Sequence, residues 1–185
     1  MTTEISTLLA AAAERTVPVV RGIRDEQLGD PTPCTEFQVR DLLNHLSQVV
    51  VNFQLLATRE QPEFGNAPDV VADGWRDRFA DETERLVTAW SDPAVLEGES
   101  PRMGLPQALV GNLVLVDLMV HGWDLARATG QPYRPDDSAV KAVLPFVERM
   151  APMGRSRGVF GAEVATPADA DDFDRLLAIC GRAAT

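Results

Sequence analysis

Apolar residues recur along most of the chain at the three-to-four-residue spacing of amphipathic helices. The pattern predicts four long helices, at about residues 3–21, 36–59, 69–90 and 105–129. Two further helices are predicted at about 136–150 and 168–181, with a short strand or an extended segment at 159–164. We therefore expect an all-α fold in a single domain, residues 1–185: a four-helix bundle over about 3–130 and C-terminal helical additions over about 131–185.

Local signals suggest where the helices begin and end. Thr35 followed by Gln38 at the fourth position matches the capping-box pattern, so the second helix is predicted to start near residue 36. Gly130 suits the C-terminal cap of the fourth helix. Pro18 and Pro145 should bend the helices that contain them.

The fourth helix is apolar almost all the way round, which is typical of a helix buried by its neighbours. Asp117, His121 and Asp124 nevertheless lie within it, on one face at spacing i, i+4, i+7. Because an unpartnered carboxylate in a core costs several kcal/mol, these groups need compensation. A local hydrogen-bond network and a bound metal ion are the two candidates.

His45, on the inward side of the second helix, is the other histidine of the chain. It lies roughly 15 Å from the start of its helix, and His121 lies roughly 12 Å from the end of the fourth, so an antiparallel pair brings them level. In a parallel pair they would be offset by about 9 Å. The imidazoles of His45 and His121 and the Asp117 carboxylate make a set of three ligands of the kind that binds catalytic zinc. The same set could bind nickel, iron or manganese.

Three neighbouring residues have competing interpretations. Asp124 could accept a hydrogen bond from a metal-binding histidine, or it could bond backbone or Arg127, and we favour such a structural role over a catalytic one. Trp123 is interpreted as a core residue. Cys34 could be a thiol at the mouth of a site, but the sequence favours a buried, inert cysteine.

Composition and charge indicate which classes of partner and which cellular compartment to expect. The net charge is −11, which disfavours nucleic acid and anionic membrane surfaces. Two cysteines, far apart, predict no disulfide framework, and the N-terminus lacks the basic region of a signal peptide. The longest apolar run is too short to span a bilayer. We expect a soluble, cytoplasmic protein that acts on a small molecule.

Three segments together resemble a known family: VHGWDLARATG preceded by Asp117, TPCTEFQVRDLLNHL, and the C-terminal FGAEVATPADADDFDRLLAICGR. They are similar to actinobacterial proteins of the mycothiol-dependent maleylpyruvate isomerase N-terminal type, within the DinB/YfiT-like superfamily. The resemblance implies a bundle with up-down-down-up order, and it leaves a homodimer open. It also implies a divalent metal, zinc first and nickel as the alternative, bound by His45, Asp117 and His121.

The activity that the resemblance implies is metal-dependent transfer or isomerisation with a low-molecular-weight thiol such as mycothiol. The metal lowers the pKa of the thiol and presents a thiolate to a small electrophile. This chain has Asp117 where the isomerase has glutamate, and it ends without the isomerase's further domain, so maleylpyruvate isomerisation itself is not expected. The alternatives are a non-catalytic ligand-binding module, a metal-dependent hydrolase and a structural metal protein with a closed site, which a fourth coordinating side chain would favour.

Overall fold

A computed structural model describes residues 2–184, and the regular structure within them is helical. The six α-helices are α1 Glu4–Gly22, α2 Val39–Ala57, α3 Trp75–Ala89, α4 Gln107–Thr129, α5 Asp137–Ser156 and α6 Asp172–Ile179. Short 3-10 turns at Asp25–Gln27 and Pro93–Leu96 were not predicted. Residues 159–164 form no strand, which leaves the extended alternative. The predicted all-α class is confirmed.

The chain divides into two compact units, with the boundary between Arg134 and Pro135. The first unit contains α1 to α4 and the second contains α5 and α6. The boundary lies four residues beyond the 130/131 division predicted between the bundle and its extension. The assignment of both to a single domain stays a prediction.

Helix α1 lies against α3 and α4 in opposite senses. At its start, the Thr3 hydroxyl donates a hydrogen bond to the carbonyl of Trp90, just after α3, so these two helices are antiparallel. Ile5, in the first turn of α1, lies against Gly111, near the start of α4, where a Cβ would be only 2.6 Å from the Ile5 Cγ1. The glycine therefore permits close approach of two parallel helices.

Helix α2 occupies the opposite corner of the bundle. The Gln107 amide, at the start of α4, donates to the carbonyl of Leu56 at the end of α2 over 2.8 Å, so these helices are antiparallel. The Trp90 indole, at the end of α3, donates to the carbonyl of Phe53, also near the end of α2, so α2 and α3 are parallel. The resulting order is up-down-down-up, as the family resemblance implied.

Helix α4 is the central element of the bundle. It is long and apolar enough to span a membrane by composition, with a hydropathy of 1.3, but 72% of that window is buried inside the fold. Leu115, Leu118 and Met119 are completely buried. Gly130 ends the helix in a left-handed conformation, at φ 69°, as predicted.

The predicted capping box at Thr35 is wrong. Helix α2 begins at Val39, and its cap is Gln38, whose backbone N–H donates to the Asp41 carboxylate over 3.2 Å. The Thr32 hydroxyl donates to the carbonyls of residues 34 and 37, which holds the preceding segment in a turn. That turn keeps residues 36–38 out of the helix.

Helix α3 begins later than the predicted residue 69. Gly74 has a left-handed φ of 74°, which a helix interior does not accommodate, and the helix starts directly after it. The segment before it is attached to α2, because Asn44 accepts a hydrogen bond from the Val70 N–H and Arg40 pairs with Asp69. These contacts replace the predicted first turns of the helix.

The second unit also differs in its helix limits. Helix α5 continues past the predicted residue 150 to Ser156, although both Pro145 and Pro152 lie inside it. Helix α6 starts at Asp172 rather than near residue 168, because the Asp171 carboxylate accepts a hydrogen bond from the Asp174 N–H and caps the helix there.

Candidate metal centre

The polar face of α4 holds the His121 ring between two carboxylates. Asp124 Oδ2 lies 3.0 Å from Nδ1 of the ring, and Asp117 Oδ1 lies 3.8 Å from Nε2. Asp124 is completely buried, whereas the Asp117 side chain is 32% exposed. Nε2 therefore faces the carboxylate that reaches solvent, and Nδ1 faces the one that does not.

The hydrogen bond to Asp124 determines which ring nitrogen of His121 remains available. An ionised carboxylate only accepts hydrogen bonds, so Nδ1 carries the proton and Nε2 keeps its lone pair in the neutral imidazole. This is the carboxylate–histidine arrangement that orients metal-binding imidazoles. Arg127, the alternative partner considered for Asp124, instead lies over the Trp123 ring with its guanidinium carbon 6.0 Å from the ring centroid.

His45 reaches the same place from α2. Its ring centroid is 5.1 Å from that of His121, with the two rings perpendicular. The antiparallel course of α2 and α4 therefore brings the two histidines level, as the sequence argument required. The structure gathers His45, Asp117 and His121 in one place, and their binding of a metal stays a prediction.

Burial lowers the pKa of His45 below its ordinary value, and the neighbouring His121 lowers it further, while Asp117 acts in the opposite direction. On the other side of the His45 ring, Phe37 stacks at a centroid distance of 5.5 Å and an interplanar angle of 23°. The sequence did not single out Phe37. The lowered pKa keeps His45 neutral, the form in which an imidazole can bind a metal.

The geometry can be compared with that of a bound ion. With bonds of 2.0–2.2 Å, two nitrogen or oxygen ligands of a tetrahedral zinc are about 3.4 Å apart. The 3.8 Å between Asp117 Oδ1 and His121 Nε2 exceeds this by a few tenths of an ångström. The Asp117 and His121 donors are therefore spaced nearly as two ligands of one zinc ion, although aspartate is one methylene shorter than glutamate.

Cys34 was expected to be a buried, inert cysteine, and the expected burial is wrong, whereas its inertness stays a prediction. The residue is half-buried, in the turn before α2. Its Sγ, a ring nitrogen of His121 and a carboxylate oxygen of Asp124 all lie within 4.8 Å of one another. Within residues 2–184, these three residues form the group of histidine, cysteine and carboxylate ligand atoms that lies within this distance. The signal available in the sequence was a cysteine just ahead of the helix that carries His45.

A groove of about 430 Å³ lies between α2, α3 and the segment that joins them. Val51, Leu55, Trp75 and Phe79 contribute apolar lining, with Arg78 and Glu82 among the charged residues. Of the described residues that line it, none belongs to the candidate metal centre. The groove is therefore separate from the centre.

Comparison with known proteins identifies the family of the chain. The sequence pattern of the mycothiol maleylpyruvate isomerase N-terminal domain matches residues 9–126, which include every residue of the candidate centre. Uncharacterized proteins from two strains of Mycobacterium tuberculosis are 30% identical over 171 residues, covering 89% of this chain and 90% of theirs. No solved structure matches the chain.

Proposed function

Since the chain belongs to the mycothiol maleylpyruvate isomerase N-terminal domain family, we propose that it is a metal-dependent enzyme that uses a thiol of the mycothiol type. The reaction is S-transfer to, or isomerisation of, a small electrophile such as an epoxide or an unsaturated acid. The metal is a divalent ion, zinc first and nickel as the alternative. His45, Asp117 and His121 are its proposed ligands.

One observation carries this proposal. The Asp124 carboxylate, completely buried, accepts from Nδ1 of His121 at 3.0 Å, and the opposite nitrogen faces Asp117 and the His45 ring. A histidine that serves only to satisfy a buried aspartate has no need of a second carboxylate and a second imidazole at its other edge. The arrangement is instead typical of a metal site in which a carboxylate holds one of the ligand histidines in place.

Each residue then has a defined role. His45 and His121 bind the ion through neutral nitrogens, and Asp117 supplies a negative charge from the exposed side. Asp124 fixes the orientation of the His121 ring. A divalent ion bound there lowers the pKa of a coordinated thiol, so that a thiolate is present at neutral pH.

The partner and compartment follow from charge and family. A net charge of −11 repels nucleic acid and anionic lipid, so the proposed partner is a small molecule. Two cysteines far apart in the sequence predict no disulfide framework, so the proposed location is the reducing cytoplasm.

Thiol binding tests the proposal without knowledge of the electrophile. Mycothiol is titrated calorimetrically into untagged, zinc-loaded protein, into the metal-free protein and into Asp117→Ala. We expect binding with proton release in the zinc-loaded protein alone, because the thiol is deprotonated as it coordinates. Equal binding by the metal-free protein would contradict the proposal.

A second candidate function is a non-catalytic ligand-binding module in which these residues form a hydrogen-bond network. The hydrogen bond between Asp124 and His121 favours this candidate, since the bond needs no metal ion. The two candidates differ in metal content. A protein that takes up no zinc, nickel or manganese after dialysis against each would be such a module.

A further inference from the structure

Cys34 lies at the edge of the proposed metal centre without belonging to the ligand set assigned above. Its sulfur, a ring nitrogen of His121 and a carboxylate oxygen of Asp124 are mutually within 4.8 Å. The residue is held there by its backbone: its carbonyl accepts from the Phe37 N–H at 2.8 Å and from the Thr32 hydroxyl at 3.0 Å. The side chain can therefore be changed without removing the bonds that shape the turn.

We propose that Cys34 is a thiolate ligand of the metal ion bound at His121. With a zinc–sulfur bond of about 2.3 Å, the sulfur lies roughly 3.5–3.7 Å from the nitrogen and oxygen ligands of the same ion. The Cys34 sulfur lies within 4.8 Å of a ring nitrogen of His121, on a half-buried turn. The oxygen of that group belongs to Asp124, which supports His121 and is not assigned as a ligand. As the ion binds, the S–H bond of Cys34 breaks, its electron pair goes to the metal and its proton goes to solvent.

The identity of the donor has a consequence for metal choice. Thiolate and imidazole ligands favour zinc and cobalt, whereas magnesium and manganese favour carboxylate and water. A sulfur from Cys34 thus biases the site towards thiophilic ions. The inference rests on the proposed function and deepens it.

Cobalt(II) reports a sulfur ligand directly. The full-length protein is freed of metal, loaded with cobalt and examined for a thiolate-to-cobalt charge-transfer band in the near ultraviolet, together with the number of protons released. Cys34→Ala is the test variant. Cys180→Ala is the matched control, because it removes the other thiol, which is buried in the second unit.

We expect the band in the wild type and in Cys180→Ala, and its loss in Cys34→Ala with one fewer proton released. Zinc affinity should fall in Cys34→Ala by at least the roughly 10–100-fold that loss of a supporting residue costs, with manganese affinity less affected. Cys34→Ser, compared by circular dichroism, checks that the fold is retained.

Two results would overturn the inference. Cobalt bound to the wild type without the band, or with a band that survives in Cys34→Ala, would show that Cys34 is not a ligand while leaving the proposed function intact. Failure of the wild type to bind cobalt or zinc at all would remove both.

Discussion

Replacement of Asp124 probes the support behind the proposed ligands, because this carboxylate touches the His121 ring and no solvent reaches it. Asp124→Ala removes the acceptor of the Nδ1 proton, so the ring loses both its preferred tautomer and its orientation. Asp124→Asn keeps an acceptor oxygen and removes the charge. The pair of variants therefore separates the hydrogen bond from the charge.

The expected magnitude follows from the role assigned to Asp124. Loss of a residue behind a metal ligand costs about 10–100-fold in affinity, or about 1.4–2.8 kcal/mol. The bond is 3.0 Å long and its acceptor is completely buried. We therefore expect Asp124→Ala to lie near 100-fold and Asp124→Asn near 10-fold.

Competition against a zinc chelator of known affinity measures this effect in untagged protein. Asp77→Asn is the control, since Asp77 is an exposed acidic residue of α3, and it should bind zinc as the wild type does. Circular dichroism confirms that each variant is folded. Zinc affinity of Asp124→Ala within twofold of the wild type would refute the supporting role of this carboxylate.

Three further predictions concern packing, pH and capping. Gly111→Ala should lower the free energy of unfolding, measured in urea, by about 1–3 kcal/mol despite the helix preference of alanine. The reason is that the new Cβ would lie 2.6 Å from a side-chain carbon of α1. The control is Gly29→Ala, whose Cβ would meet nothing within 4 Å and which should be near neutral. Burial lowers the pKa of His45 in the folded state. The metal-free protein should therefore keep its full stability above pH 6.5, the ordinary pKa of histidine, and lose part of it as the pH falls through the pKa of folded His45. In denaturation measured over this pH range, His45→Gln should flatten the dependence of stability on pH. Asp41→Ala should lower the free energy of unfolding by roughly 0.3–1.5 kcal/mol, and Thr35→Ala should change it by under about 0.5 kcal/mol. A larger loss in Thr35→Ala than in Asp41→Ala would contradict the cap seen in the structure.

Hydrophobic periodicity predicted the four long helices and the end of α4, because burial and a C-terminal glycine leave local signals. The starts of α2 and α3 were predicted too early. The start of α2 follows the turn that the Thr32 hydroxyl holds. The start of α3 follows Gly74 and a contact with a distant part of the chain, the Val70 N–H bonded to Asn44, and apolar spacing encodes none of these. Helix starts set by such contacts need the folded structure.

The candidate centre shows the same division. Helical spacing placed Asp117, His121 and Asp124 on one face, and helix lengths brought His45 level with them. The burial of Cys34 was predicted wrongly because its position depends on the turn that precedes α2, and the Thr32 hydroxyl rather than periodicity determines the course of that turn.

Elemental analysis of untagged protein purified without chelator tests the central claim most directly. The account predicts about one zinc or similar divalent ion per chain in the wild type, and its loss in His121→Ala and in Asp117→Ala, since each removes a ligand. A wild type without metal after dialysis against zinc, nickel and manganese would contradict the claim. So would a metal content that His121→Ala leaves unchanged.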